Sequence, residues 1–395
     1  MPFRVRALTL AFMLAPLILL SVVHWKYLRT AKAEESLRVF TYELRAAHFT
    51  EAQRQIETAL NISPNNAHYL SNAGLLHERM LQRSFNFEAF RNPELSEVET
   101  EQVKTAIRFY QKAVALNPRD DHALNNLGWL SWLVKEREQA FAYMQQAASI
   151  NSGMPLYYIS LGILREYNGE FDAAYQQYSR AIRLAPSEID SRFFSDFQKR
   201  SPVAAEKIIS DAFAEFQEQV RLGGGPTVKA KLGKLAVDRQ PDLAKQTLKE
   251  ATAELSNLTR PWINLGTLYE REGNDAQAEL CYKKSIFIDG GEPAVWFRLG
   301  QLYDRQQNTP AAISDYRRAI QKWVDQTSVH ASRVRRIYLS RSTVRDDVIP
   351  SGFDAYTKPA FDIDWTCARL SAWFRQQGDE ALAEQYENIR KEHAR

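Results

Sequence analysis

Apolar residues return three and four positions apart over most of this sequence, the spacing that gathers them on one face of an α-helix, and they cluster around recurring glycines. Leu124, Leu127 and Gly128 make one such group, and Tyr158, Leu161 and Gly162 a second. Trp262, Leu265, Gly266 and Tyr269 make a third; Trp296, Leu299, Gly300 and Tyr303 make a fourth. Behind each group a second helical stretch carries small and aromatic residues at fixed offsets: Ala140 and Ala147; Ala174, Tyr178 and Ala181; Ala278 and Tyr282; Ala312, Tyr316 and Ala319. Gly128 and Gly162 stand 34 residues apart, as do Gly266 and Gly300, so the pattern predicts a repeated unit of two antiparallel helices.

That period and those motifs resemble the tetratricopeptide repeat. The resemblance implies an all-α helical solenoid in which the glycine and the first alanine let paired helices approach closely, and the last alanine admits the neighbouring unit. Proline closes a unit because it cannot continue a helical hydrogen-bond ladder, and Pro64, Pro118 and Pro186 fill that place. Ala52, Ile56 and Ala59 read as the second helix of a degenerate first unit whose partner begins near Glu34. Leu70, Ala73 and Gly74, with Ala106, Tyr110 and Ala113, read as the next, its halves separated by an insertion near 81–102 that carries Phe85, Phe87 and Phe90. The insertion is either a docking lid or a longer loop packed on the helices. Two decayed units fit between Gly162 and Gly266: Ala205, Ile209 and Ala212 mark one second helix, and Leu232, Gly233, Leu248 and Ala251 mark another unit. Gly223-Gly224-Gly225-Pro226 reads as a hinge or loop between them, since no GK[ST] follows and no strand precedes it.

The N-terminus adds an element of another kind. Ala7 to Val23 is uncharged and mostly apolar, reaches Trp25 with its interfacial residues, and is just long enough to span a bilayer. Trp25 and Tyr27, then Lys26, Arg29 and Lys32, stand where an interfacial belt is expected. Ala31-Lys32-Ala33 has signal-cleavage spacing but lies too far past the apolar run, which favours a retained anchor over a cleaved signal. The positive charges on the two sides nearly tie, and the short tail before the span favours a bacterial inner-membrane protein with its repeats in the periplasm. The predicted fold is thus a tetratricopeptide-repeat solenoid with an N-terminal transmembrane helix. Its parts are an anchor over 1–32, two repeats with the insertion over 33–118, well-formed repeats over 119–186, degenerate helical repeats over 187–258, and well-formed repeats over 259–326. A basic helix and extended connector follow over 327–361, then capping helices over 362–395.

Composition narrows the function. A formal charge of +3 over 395 residues lacks the concentrated basic footprint of a nucleic-acid binder. Cys281 and Cys367 have no CxxC or Cys/His spacing around them, so no disulfide framework is implied. The seven histidines are scattered without an HExxH-type signature, and His68 and His77 read as polar surface residues of one helix. No catalytic, cofactor-binding or metal-ligating constellation is predicted, and the chain is read as a non-enzyme. Arg333, Arg335, Arg336, Arg341 and Arg345 make a basic stretch read as a solvated helix face.

The resemblance places the working surface in a concave groove lined by the first helices. Two positions before the motif glycine stand Asn72, Asn126, Ser160, Asn264 and Arg298. An asparagine amide both donates and accepts, so it pairs with peptide backbone whatever the sequence. Ser160 and the decayed middle interrupt the row, giving two short grips rather than one track. Trp129 and Trp132 are candidate apolar anchors, with inter-repeat core as the alternative, and Arg260, Arg271, Arg298 and Arg305 favour an acidic segment. The expected function is a membrane-tethered protein–protein interaction scaffold of an envelope assembly serving export, polysaccharide or cell-wall machinery. Its partners are other proteins, with a glycan-binding module as the alternative.

Overall fold

The computed structural model describes residues 3–45, 48–81, 90–327 and 362–393, with side chains from Val23 onward except at 45, 192, 324–327, 392 and 393. Among the described residues it holds eighteen α-helices, one 3-10 turn and no strand. In chain order these are α1 (Phe3–Arg45), α2 (Phe49–Ile62), α3 (Ala67–Met80), α4 (Glu97–Leu116), α5 (Asp121–Leu133) and α6 (Arg137–Ile150). There follow α7 (Pro155–Tyr167), α8 (Phe171–Leu184), the 3-10 turn Pro186–Asp190, α9 (Arg192–Arg200), α10 (Pro202–Arg221), α11 (Pro226–Ala236) and α12 (Pro241–Glu254). The last are α13 (Thr259–Arg271), α14 (Asp275–Asp289), α15 (Pro293–Arg305), α16 (Thr309–Thr327), α17 (Ile363–Gln376) and α18 (Glu380–His393). The chain divides into two compact units, one running through Asn151 and the other beginning at Ser152.

In the first unit α1 packs on α2, α3 on α4 and α5 on α6; in the second the pairs are α7/α8, α11/α12, α13/α14, α15/α16 and α17/α18. A glycine in each of six first helices makes the pairing close. At Gly266 an added Cβ would stand 2.5 Å from Cε1 of Tyr282, so only a hydrogen leaves room for the ring of the facing helix. The same approach sets Gly74 on Tyr110, Gly128 on Met144, Gly162 on Tyr178, Gly233 on Leu248 and Gly300 on Tyr316. Tight turns then close the pairs. Seven residues past the motif glycine the backbone turns left-handed, at Lys135 (φ 67°), Gly169 (φ 79°), Gly273 (φ 72°) and Gln307 (φ 59°).

Several expectations change. The first helix does not begin near Glu34 after a separate anchor: α1 runs unbroken from Phe3 to Arg45 and buries Ala33, Leu37, Phe40 and Leu44 in the core shared with α2. Val23 and Trp25 are each 58% exposed, the Arg29 guanidinium lies 4.7 Å over the Trp25 ring, and the side chain of Ala7 lies outside the described residues. Among the described residues no helix is long and apolar enough to cross a membrane, so the transmembrane helix and the single-pass inner-membrane placement are withdrawn. The insertion is shorter than 81–102, because a capping box at Ser96 and Glu99 starts α4 at Glu97. Phe85, Phe87 and the basic stretch Arg333–Arg345, with nearly all of 327–361, lie outside the described residues.

Candidate functional site

The first-helix face carries a hydrogen-bonded device that uses up three of the side chains predicted to bind, Asn126, Arg298 and Arg305. In three pairs of the second unit an acid four residues past the motif glycine meets the tyrosine that the glycine accommodates. Tyr178 donates to Glu166 (2.8 Å), Tyr282 to Glu270 (2.6 Å) and Tyr316 to Asp304 (2.9 Å). In the first unit Tyr110 donates to Glu78 at 3.0 Å. Burial, with the adjacent carboxylate, holds each of these phenols well above its ordinary range. Each therefore stays a neutral donor. The pair Gly128–Met144 lacks both partners, since Trp132 stands at the acid position and methionine at the tyrosine position.

A residue from the following helices closes each link. Asn126 donates to the Tyr110 hydroxyl (3.0 Å), and Arg200 donates to both oxygens of Glu166 (3.0 and 3.3 Å). Arg298 and Arg305 reach Glu270 (3.5 and 3.0 Å), and Arg369 reaches Asp304 (3.0 Å). Asn126, Arg298 and Arg369 occupy equivalent positions, two before Gly128, Gly300 and Ser371, the last standing 12 residues before Ala383 as the motif glycines stand before theirs. The row predicted to grip a peptide is, at these positions, a fastener between neighbouring pairs.

The other predicted residues divide the same way. Asn72 is 5% exposed and donates to the His68 carbonyl at 2.9 Å. Trp129 and Trp132 are 6% and 2% exposed, so the apolar-anchor reading gives way to core. Phe90 meets Trp129 edge-on with centroids 6.1 Å apart, and its carbonyl accepts the Trp132 indole N–H at 2.7 Å. The described end of the insertion thus packs on the helices and forms no open lid. His77 is half-buried, bonded to Gln102 at 2.6 Å and stacked on Phe109 at 5.6 Å, and not a solvated surface residue. Arg260 pairs with Glu292 (2.8 Å), Arg305 also reaches Asp275 (3.5 Å), and Arg271 pairs with Asp238.

Asn264 is different. The pair before it has Val237 at the acid position and Leu248 against Gly233, so there is no tyrosine hydroxyl for it to meet. It is partly exposed and makes no hydrogen bond among the described residues. On the same face of α13 stand Arg260, Thr267 and Arg271, at spacings of four and three from their neighbours. No group of three or more His, Cys, Asp or Glu side chains that would hold a metal occurs among the described residues. Both cysteines are buried free thiols, pushed by burial to about 11 at Cys281 and about 12 at Cys367, values that suppress nucleophilic thiolate.

Antiparallel helix pairs closed by a glycine and fastened to their neighbours define a stacked helical-repeat protein. Residues 263–326 match the model of the tetratricopeptide repeat. No curated protein sequence matches the chain. Among solved structures it is similar to Pseudomonas aeruginosa PilF, at 14% identity and a TM-score of 0.33 over 71% of this chain and 98% of that one. It is also similar to a tetratricopeptide repeat protein of Parabacteroides merdae, at 13% identity and a TM-score of 0.33 over 78% of this chain and 100% of that one. Repeats of this family bind other proteins or peptides.

Proposed function

We propose that this chain is a protein-interaction scaffold that takes an extended segment of its partner on the first-helix face of α11, α13 and α15, with Asn264 pairing to the segment's backbone. The observation that carries this reading is the hydrogen-bonding state of the amides. Asn72 and Asn126 are committed internally, whereas Asn264 has donor and acceptor to offer on a partly exposed face. Arg260, Arg298 and Arg305 flank it with side chains 47%, 42% and 46% exposed. Each already shares an acid, so a carboxylate on the segment exchanges for an internal one and contributes selectivity more than affinity. The glycan alternative needs aromatic rings open to stack on sugars, and the burial of Trp129 and Trp132 takes two candidate rings away from it. The envelope setting rested on the withdrawn anchor and is not carried forward.

Peptides selected by display against the whole chain provide the test. Asn264→Ala is expected to weaken a selected peptide by about 1 to 3 kcal/mol, the cost of leaving a bound backbone group unpaired, with little change in Tm. Asn126→Ala is expected to do the opposite, lowering stability by about 1 kcal/mol while sparing the affinity. Wild-type affinity in the Asn264 variant sinks the proposal.

A further inference from the structure

A second feature lies on the opposite side of α15 from Arg298 and Arg305. Trp296, Leu299 and Tyr303 follow i, i+3, i+7 spacing and face away from those arginines around the helix. With residues of α14 and α16 they line a cavity of about 280 Å³. Asp315 lines it from α16; the residue is 5% exposed and accepts no hydrogen bond among the described residues. Its nearest cation is Arg318, at 3.6 Å, beyond hydrogen-bond reach. Arg318 itself is 58% exposed and lies with its guanidinium 4.7 Å over the face of Trp296. The remaining charges cancel locally, because Lys283 is bound to Glu279 at 2.5 Å and Glu279 also accepts from Tyr303 at 2.8 Å.

We infer that this cavity is a binding site for a cationic side chain of a partner, an arginine guanidinium by chemistry, and that Arg318 is an internal occupant which the ligand displaces. Arg318 shows what fits: a planar cation over an indole face, next to a buried carboxylate. Yet it follows Asp315 by only three residues on one helix and does not bring an N–H within hydrogen-bond reach of the carboxylate. A guanidinium arriving from outside is free of that tether, donating in fork geometry to Asp315 while stacking on Trp296. Once Arg318 swings into solvent, Asp315 is the uncompensated charge of the cavity, and a buried carboxylate without a partner is costly. An anion would face the buried Asp315 carboxylate. The site is separate from the Asn264 face, so it stands or falls independently of the proposed function.

Isothermal titration of the whole chain with N-acetyl-arginine amide at pH 8 tests this, with N-acetyl-citrulline amide as the neutral isostere and N-acetyl-aspartate amide as the anion. At that pH Asp315 is ionised, although burial raises its carboxyl to about 6. Arg318→Ala is expected to bind the arginine probe at least about fivefold more tightly than wild type, because the internal competitor is gone. Asp315→Asn is expected to bind it at least about tenfold more weakly than wild type, because the charge-assisted bonds are lost. Binding seen only in Arg318→Ala also supports the inference, with Arg318 as a tight plug. Equal affinity for the citrulline probe, preference for the aspartate probe, unchanged binding in folded Asp315→Asn, or no binding in Arg318→Ala overturns it.

Discussion

Glu188 sits in the 3-10 turn after α8, and one of its carboxylate oxygens is buried with no hydrogen-bond partner. Burial raises its carboxyl from 4.5 to about 7, with Arg260 pulling the other way and Asp190 adding to the rise. Between those values the folded protein holds a proton that the unfolded chain has released, so stability is greatest below the unfolded value and falls as pH rises through the folded one. Glu188→Gln removes that dependence. The variant is expected to exceed wild type at pH 8 by up to about 3 kcal/mol, from the size of the shift, and to match it near pH 4. Thermal melts of both proteins at the two pH values check this, and a gap that does not change with pH refutes it. Asp315 contributes a slope of the same sign, its carboxyl being raised to about 6 by burial, and it cancels when variant and wild type are compared at each pH.

Element by element, the pairs that sequence reading recovered are those whose contact leaves a fixed residue signature. A glycine under the facing side chain with an alanine twelve positions on is such a signature, and it recurs at Gly128 under Met144 and at Gly162, Gly266 and Gly300 under tyrosine rings. The helices before α10 were less legible because Phe193 occupies the place twelve before Ala205. A phenylalanine cannot nest there, and Phe193 and Phe197 instead pack against Tyr178 with centroids 4.9 and 4.8 Å away. The candidate site was legible as positions but not as partners. Periodicity puts Asn126 on the correct face, whereas the Tyr110 hydroxyl that engages it comes from another helix. Trp129 and Trp132 fell on the wrong side of the same ambiguity, since a tryptophan beside a groove position satisfies core or surface equally well in one sequence. The turns offer a test at this scale. Lys135 and Gln307 hold the left-handed conformation that Gly169 and Gly273 hold elsewhere, and that conformation costs a side-chain-bearing residue about 1 to 2 kcal/mol. Lys135→Gly and Gln307→Gly are each expected to raise stability by about 0.5 to 1 kcal/mol after the added unfolded-state entropy of glycine, read from denaturant midpoints. Destabilisation by either shows that the lost side chain mattered more than the turn.

At the scale of the molecule, stacked pairs draw stability from their immediate neighbours, and each pair leaves an apolar face for the next to cover. At α16 that face is Ile313, Tyr316 and Ile320, at 3%, 0% and 2% exposure, covered by Cys367, Leu370 and Phe374 of α17 together with Ala383 and Tyr386 of α18. Arg369 adds its bond to Asp304, and the Trp365 ring meets that of Tyr316 at 5.4 Å. Ending the chain at residue 327 uncovers all of this. Each large side chain so exposed forfeits about 1.5 to 3 kcal/mol, so α15 and α16 are expected to lose hydrogen-exchange protection and expose an apolar patch that binds a hydrophobic dye. The loss should fade with distance: α13 keeps its contacts with α11 and α12, α14 keeps its contact with α13, both remain protected longer than α15 and α16, and the unit that ends at Asn151 is unaffected. Uniform loss through the second unit would mean that it folds as one cooperative body. Unchanged protection in α15 and α16 would mean that the pair supports itself, and the account of α17 and α18 as its required cover would fail.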